Sequence, residues 1–251
     1  MIEIFAVPIA LSLILVLIHT WFGRGILSRG IIFADLAIAQ MAALGSSVSL
    51  GYFHGEYLYA FSLIFALMSG LIIAYATTRK IQMEAFIGLI YVLGASGILM
   101  VLAQSAEGME HFKSLLAHDI LFTTDKQFFF AAMLYLIIWL LIWKFYPRTT
   151  GLGREIVFFV LLSLTVTSSV QLAGVLVVFV LLIAPILVAT MQSRFSAYPF
   201  AVIFGWILCI AAIFTAFYAD LPTGYTISSL GAFLALSSVI LLSSKKGASS
   251  L

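Results

Sequence analysis

The chain has 251 residues, 64% hydrophobic and 9% charged, with a formal net charge of +2 and a mean hydropathy of +1.21. A soluble domain is only about 45–50% apolar, so this composition excludes a single water-soluble core. The small charge and the absence of a basic stripe exclude a nucleic-acid-binding protein, and the lone Cys209 excludes a disulfide framework.

The apolar runs are continuous and about twenty residues long, enough helix to cross a hydrocarbon core. A transmembrane barrel would instead alternate apolar and polar residues in segments of about ten. The predicted fold class is therefore all-α, a polytopic helical membrane protein forming a single transmembrane domain over residues 1–251. Nine apolar segments follow in chain order, at 4–22, 33–52, 57–78, 85–104, 127–146, 154–170, 173–192, 198–218 and 225–243, with eight spans as the alternative count.

The first segment opens with MIEIFAVPIA, which lacks the basic region of a signal peptide, so it is expected to stay as a membrane helix. His19 within it reads as a hydrogen-bonded packing residue. The second holds Asp35 and Gln40, then the small residues Gly45, Ser46, Ser47 and Ser49. After a loop with His54 and Glu56, the third ends at Arg79 and Lys80. The fourth starts with Glu84 and contains Gly88, Gly94, Ala95 and Gly97. Small residues let helix backbones approach in lipid, and packing accounts for most of them.

The connection at 104–126 contains SAEGMEHFKSLLAHDILFTTDK. On a helix Glu107, His111 and His118 fall at i, i+4 and i+11, on one face, with Glu110 and Asp119 flanking. Carboxylate and imidazole together can collect a transition metal. The competing reading is an amphipathic helix at the headgroups with a solvated polar face.

The sixth and seventh segments are joined by the polar stretch TVTSSVQLAG, so one of them is expected to be shortened or broken. The seventh, GVLVVFVLLIAPILVATMQSR, carries Pro185 inside it and ends on Ala189, Thr190, Gln192, Ser193 and Arg194. It reads as a spanning helix that breaks into a short elbow placed to touch another protein.

Basic residues fix an expected orientation. Arg24 and Arg29 follow segment one; Arg79 and Lys80, segment three; Lys144, Arg148 and Arg154, segment five; Arg194, segment seven; Lys245 and Lys246, segment nine. Ten of the twelve basic residues thus fall on alternate loops, the others being Lys113 and Lys126. The positive-inside rule makes that face cytoplasmic, with the N-terminus outside and the C-terminus inside.

Ionisable groups inside a span are costly and therefore informative. Asp35 and Glu84 each lie about one turn into a helix starting from the basic face, and Gln40 follows Asp35 by five residues. Two carboxylates and an amide facing one cavity suit a divalent cation in transit. Equally, an acid in a first turn interacts with the helix dipole by about 0.3–1 kcal/mol and needs no ligand. The chain has no GxxxxGK[ST], GxSxG or HExxH, so no nucleotide site or catalytic set is expected and the chain is not expected to be an enzyme.

Several stretches together resemble the permease subunits of ATP-binding-cassette importers for zinc and manganese: Arg29–Gly45, Met83–Val101, Leu115–Leu121, the segment around Pro185, and Asp220–Gly224. They lie in the family's order over nearly the whole chain. The resemblance implies a permease fold similar to that of the vitamin B12 and siderophore importers, with 8–9 spans. It implies a homodimer in a bacterial plasma membrane, in contact with lipid. Two cytoplasmic ATPase subunits would hydrolyse ATP, and an extracytoplasmic metal-binding protein would deliver the ion. The divalent metal is cargo, and no intrinsic cofactor is expected. The elbow after Pro185 resembles the coupling element that rests in the ATPase, with Ala189, Thr190, Gln192 and Arg194 as its contacts. One departure concerns the ion: the family commonly has His where Gln40 stands and Asp four residues earlier, where this chain has Leu36. The rival readings are the same architecture with a siderophore or cobalamin cargo, and an ion-gradient-driven cation carrier.

Overall fold

The structure is a computed structural model that describes residues 2–104, 120–192 and 195–248. The described residues form nine α-helices and no strand. They are α1 (Ile2–Arg29), α2 (Ala34–Phe53), α3 (Leu58–Ala76), α4 (Met83–Leu102), α5 (Asp125–Phe145), α6 (Gly151–Ala173), α7 (Val175–Met191), α8 (Ala197–Ala219) and α9 (Thr223–Ala248). Short 3-10 turns cover Ile120–Phe122 and Tyr146–Arg148. Eight helices are long and apolar enough to cross a membrane, and the ninth, α7, is apolar but has only 17 residues. All-helical architecture is what lipid demands, because a helix satisfies its own backbone hydrogen bonds.

The chain folds as two compact units. The first comprises Met1–Ser28, Asp119–Ala132 and Leu172–Leu251. Its centre is α7, where Val177, Val178, Leu181, Leu182, Ala184, Ile186 and Ala189 are buried. Missing side chains let neighbours reach α7 closely. A Cβ on Gly23 of α1 would lie 1.9 Å from the Leu182 carbonyl oxygen, and one on Gly231 of α9 would lie 2.4 Å from Val180. On α8, Gly205 faces Val16 and Pro185. Two long polar side chains of α8 tie it to α1: Trp206 Nε1 donates to the Leu13 carbonyl at 3.1 Å and the Tyr198 hydroxyl to that of Leu17 at 3.2 Å. His19 is fully buried with Nδ1 2.8 Å from the Leu15 carbonyl, a packing residue as expected.

The second unit comprises Arg29–His118 and Met133–Gln171. Here α2 packs against both α3 and α4. Gly45 of α2 lies on the α3 backbone, where a Cβ would come 2.3 Å from the Phe61 carbonyl oxygen. Gly94 of α4 lies on Gln40, 2.9 Å from its Cβ by the same construction, and Gly97 lies on Leu44. Gly70 of α3 meets Ser163 and the Phe159 carbonyl of α6. The small residues of α2 and α4 are thus mostly packing surfaces; Gly88, with nothing within 4 Å, is the exception.

One expected boundary shifts. The polar stretch TVTSSVQLAG is not a loop: α6 runs through it to Ala173, and only Gly174 separates α6 from α7. Three of its four hydroxyls turn back onto their own helix, Thr165 onto the Leu161 carbonyl at 2.8 Å, Ser168 onto that of Thr165 at 3.0 Å and Ser169 onto the same Thr165 carbonyl, while the buried Thr167 Oγ1 has no hydrogen-bond partner. With its proton on the Thr165 carbonyl, Ser168 Oγ accepts from the Tyr135 hydroxyl at 3.1 Å. Polar side chains satisfied this way remain inside a spanning helix.

Candidate transport site

In the second unit, Gly30 (φ +65°) separates α1 from α2. Asp35 sits in the first turn of α2 with 1% of its surface exposed. The backbone N–H groups of Leu36 and of Asp35 itself point at the carboxylate, yet Oδ1 has no hydrogen-bond partner. A carboxylate oxygen buried without a donor is expensive. This position combines a helix-start geometry with an open acceptor.

Glu84 behaves differently. It is exposed in the first turn of α4, and its Oε1 accepts the Ile32 N–H at 2.8 Å. That bond ties the start of α4 to the residues leading into α2, so the two acids do share one end of the unit. Glu84 acts there as a clamp between helix starts. Gln40 is half-buried, with its backbone under Gly94. Five residues at 3.6 per turn place it about 140° around α2 from Asp35, so the two side chains leave the helix on different sides. Among the described residues no three His, Cys, Asp or Glu side chains stand together as a metal site. Glu107, His111 and His118 lie outside the described residues.

At the same end of this unit, Arg29 Nε and Nη2 donate to the two oxygens of Glu155, each at 2.9 Å. Nη2 also reaches the Tyr146 hydroxyl at 3.4 Å, and the guanidinium lies 4.1 Å from the centroid of the Phe158 ring. Sequence reasoning missed Glu155. Its signal was its isolation: it is the only acid between Asp125 and Asp220, directly after the basic run of Lys144, Arg148 and Arg154.

In the first unit, Pro185 lies within α7, which continues as helix to Met191 and stops at Gln192. The helix therefore does not break after Pro185 as expected. Pro185 and Ala189 are buried, Ala189 against Ile186, Ala201 and Leu27, so neither presents a surface. Thr190 is exposed. Gln192 accepts the Phe195 N–H with Oε1 and donates to the Phe195 carbonyl with Nε2, both at 2.9 Å. This double bond shapes the connection to α8 and leaves Phe195 68% exposed, its ring stacked at 9° on Phe200. Arg194 lies outside the described residues. Phe195 is the exposed apolar feature of the connection that sequence reasoning passed over.

No protein-family model matches the sequence, and no curated protein sequence matches it. Solved structures do match. PsaBC from Streptococcus pneumoniae, in complex with Fab, aligns over 94% of this chain and 91% of that chain, with a TM-score of 0.74 and 19% identity. An inward-facing metal-chelate type ABC transporter aligns over 95% and 85%, with a TM-score of 0.64 and 17% identity. The chain shares the fold of these two transporters across nearly its whole length.

Proposed function

We propose that the chain is the membrane-spanning subunit of an ATP-driven importer of divalent transition-metal ions, zinc or manganese. The observation that carries the reading is the fold shared with the metal-chelate type ABC transporter and with PsaBC over at least 94% of this chain. The motif resemblance at Arg29–Gly45 and Met83–Val101 supports it independently of the fold.

In this reading the basic end of the second unit, with Arg29 and Arg154, faces the cytoplasm, placing the N-terminus outside and the C-terminus inside. A homodimer forms the path. A separate cytoplasmic ATPase docks on the connection between α7 and α8, where Thr190 and Phe195 are exposed. A binding protein delivers the ion from outside. ATP-driven closure of the ATPases biases the permease between two accessible states. Asp35 supplies an anionic oxygen in the path, its open Oδ1 accepting the cation transiently. A lone carboxylate is a weak ligand, which suits an ion that must leave again.

The test is reconstitution with the partner ATPase in liposomes, measuring uptake of Zn²⁺ and Mn²⁺ presented by the binding protein. ATP-dependent uptake is expected. Uptake by the chain alone, without nucleotide or ATPase, would sink the proposal and favour a gradient-driven carrier.

A chelated metal is the second reading of the cargo. It is favoured by the fold shared with the metal-chelate type ABC transporter over 95% of this chain; a chelate brings its own ligands. Stimulation of ATP hydrolysis by the chelate and not by the bare ion would select it.

A further inference from the structure

The end of α5 and the start of α6 carry a cationic patch. From Lys144 to Arg154 the chain holds Lys144, Arg148 and Arg154 and no acid, and all three are exposed. The next residue, Glu155, does not neutralise them, because both its oxygens accept from Arg29. An Arg148 N–H donates to the Lys144 carbonyl, which folds the guanidinium back over the last turn of α5. The Lys144 ammonium lies 5.6 Å from the centroid of the Phe145 ring, so two like charges sit about one turn apart, an arrangement that an anion between them relieves. The Arg154 guanidinium stacks over the Tyr146 ring, 4.4 Å from its centroid. Stacking fixes its plane, and a guanidinium so fixed still offers N–H edges matched to a phosphate.

What distinguishes this patch is what it continues. Along α5 the exposed residues Met133, Leu136, Ile137, Leu140 and Trp143 recur at helical spacing. They form an apolar stripe that ends on Trp143, 75% exposed, with Phe145 beside it. Lys144 follows Leu140 by four positions on α5 and so extends the same face, and Arg148, in the 3-10 turn that follows, returns to it through its bond to the Lys144 carbonyl. An apolar stripe, then an aromatic residue, then cations reproduces the order of acyl chain, interface and headgroup.

We propose that Lys144, Arg148 and Arg154 bind the phosphate of an anionic phospholipid whose acyl chains lie along the α5 stripe. The stripe argues for lipid against a soluble protein, because a protein docked at the headgroup level leaves Met133 to Leu140 uncovered. The proposal is independent of the cargo.

The test uses the purified full chain in nanodiscs of phosphatidylcholine, alone or with phosphatidylglycerol. Phosphatidylglycerol is expected to raise the wild-type melting temperature by a few degrees. In K144Q/R148Q/R154Q that rise should shrink by more than half, with the melting temperature in phosphatidylcholine unchanged. In R148K/R154K, which keeps the charges, most of the rise should survive. An undiminished rise in the triple variant overturns the proposal, as does no rise in the wild type. An equal rise on adding inorganic phosphate to phosphatidylcholine discs would show a free-phosphate site and reject the lipid. Should the triple variant fail to fold, the wild type decides by salt: a phosphatidylglycerol-dependent rise that does not fall as NaCl is increased contradicts a site built on exposed charges.

Discussion

Arg29 and Glu155 stand 126 positions apart in sequence and are joined by two hydrogen bonds of 2.9 Å, with side chains only 18% and 20% exposed. The pair closes the second unit by fixing the first residue of that unit against the start of α6. Removing one partner leaves the other charge partly buried. Glu155→Gln or Arg29→Met should each destabilise by about 2–3 kcal/mol, less than the loss for a fully buried pair because water still reaches both groups. Combined as Arg29→Met/Glu155→Leu, the loss should be well below the sum of the two. Thermal melting in detergent measures all three, and strictly additive losses would show that the pair is not coupled.

A second prediction rests on close helix approach. Alanine at Gly45 must push α3 away, because its Cβ would meet the Phe61 carbonyl at 2.3 Å. The expected cost is about 1–3 kcal/mol, the range for overpacking, as a backbone oxygen cannot swing aside. Gly88, on α4, has nothing within 4 Å of a Cβ. Gly88→Ala should stabilise by about 0.5–1 kcal/mol through helix propensity. Equal melting shifts for the two variants would contradict the packing described.

Much of the helical frame was legible in the sequence, because lipid forces apolar residues into runs whose length is set by bilayer thickness. The single-residue breaks were less legible. TVTSSVQLAG looks like a loop by polarity, but polarity does not report that Thr165 and Ser168 bond carbonyls of their own helix. Pro185 looks like a helix end, but α7 continues past it because the surrounding packing holds the turn. For the site, Asp35 stood out because an acid in a span is rare; its unpartnered oxygen could not be read, since that depends on neighbours brought in by folding. The partnership of Glu155 with Arg29 was hidden for the same reason.

A third prediction concerns the single-residue break between α6 and α7. Gly174 adopts φ 84°, ψ 156° between α6 and α7, a region open to glycine and strained for other residues. Gly174→Ala should destabilise by about 1–3 kcal/mol. Denaturant or thermal unfolding would register it, and an unchanged midpoint would mean that the junction relaxes to negative φ without loss.

A fourth concerns docking. Phe195 is exposed, and the Gln192 amide holds its backbone through two hydrogen bonds. Phe195→Ala removes an exposed ring, so the melting temperature of the isolated chain should barely move, while ATP-driven uptake and co-purification of the ATPase should fall several-fold. Gln192→Ala should act in the same direction by freeing the backbone. Full uptake in both variants would place the coupling contact elsewhere.

The last concerns Asp35. Its carboxylate is 1% exposed, receives backbone N–H groups at the start of α2 and keeps Oδ1 unpartnered. Asp35→Asn retains the shape and one acceptor oxygen. If the residue serves only to start the helix, the change removes a dipole interaction of about 0.3–1 kcal/mol and transport follows the small loss of folded protein. If it meets a cation, the outcomes separate. Stability stays level or rises, because a neutral amide is cheaper to bury than a carboxylate with one oxygen lacking a donor, while uptake of Zn²⁺ or Mn²⁺ falls by about tenfold or more, equivalent to about 1.4 kcal/mol of lost interaction in transit. Melting temperature and uptake are therefore measured on the same preparation. Uptake that tracks the folded fraction assigns Asp35 to the helix start; uptake that collapses at undiminished stability assigns it to the path.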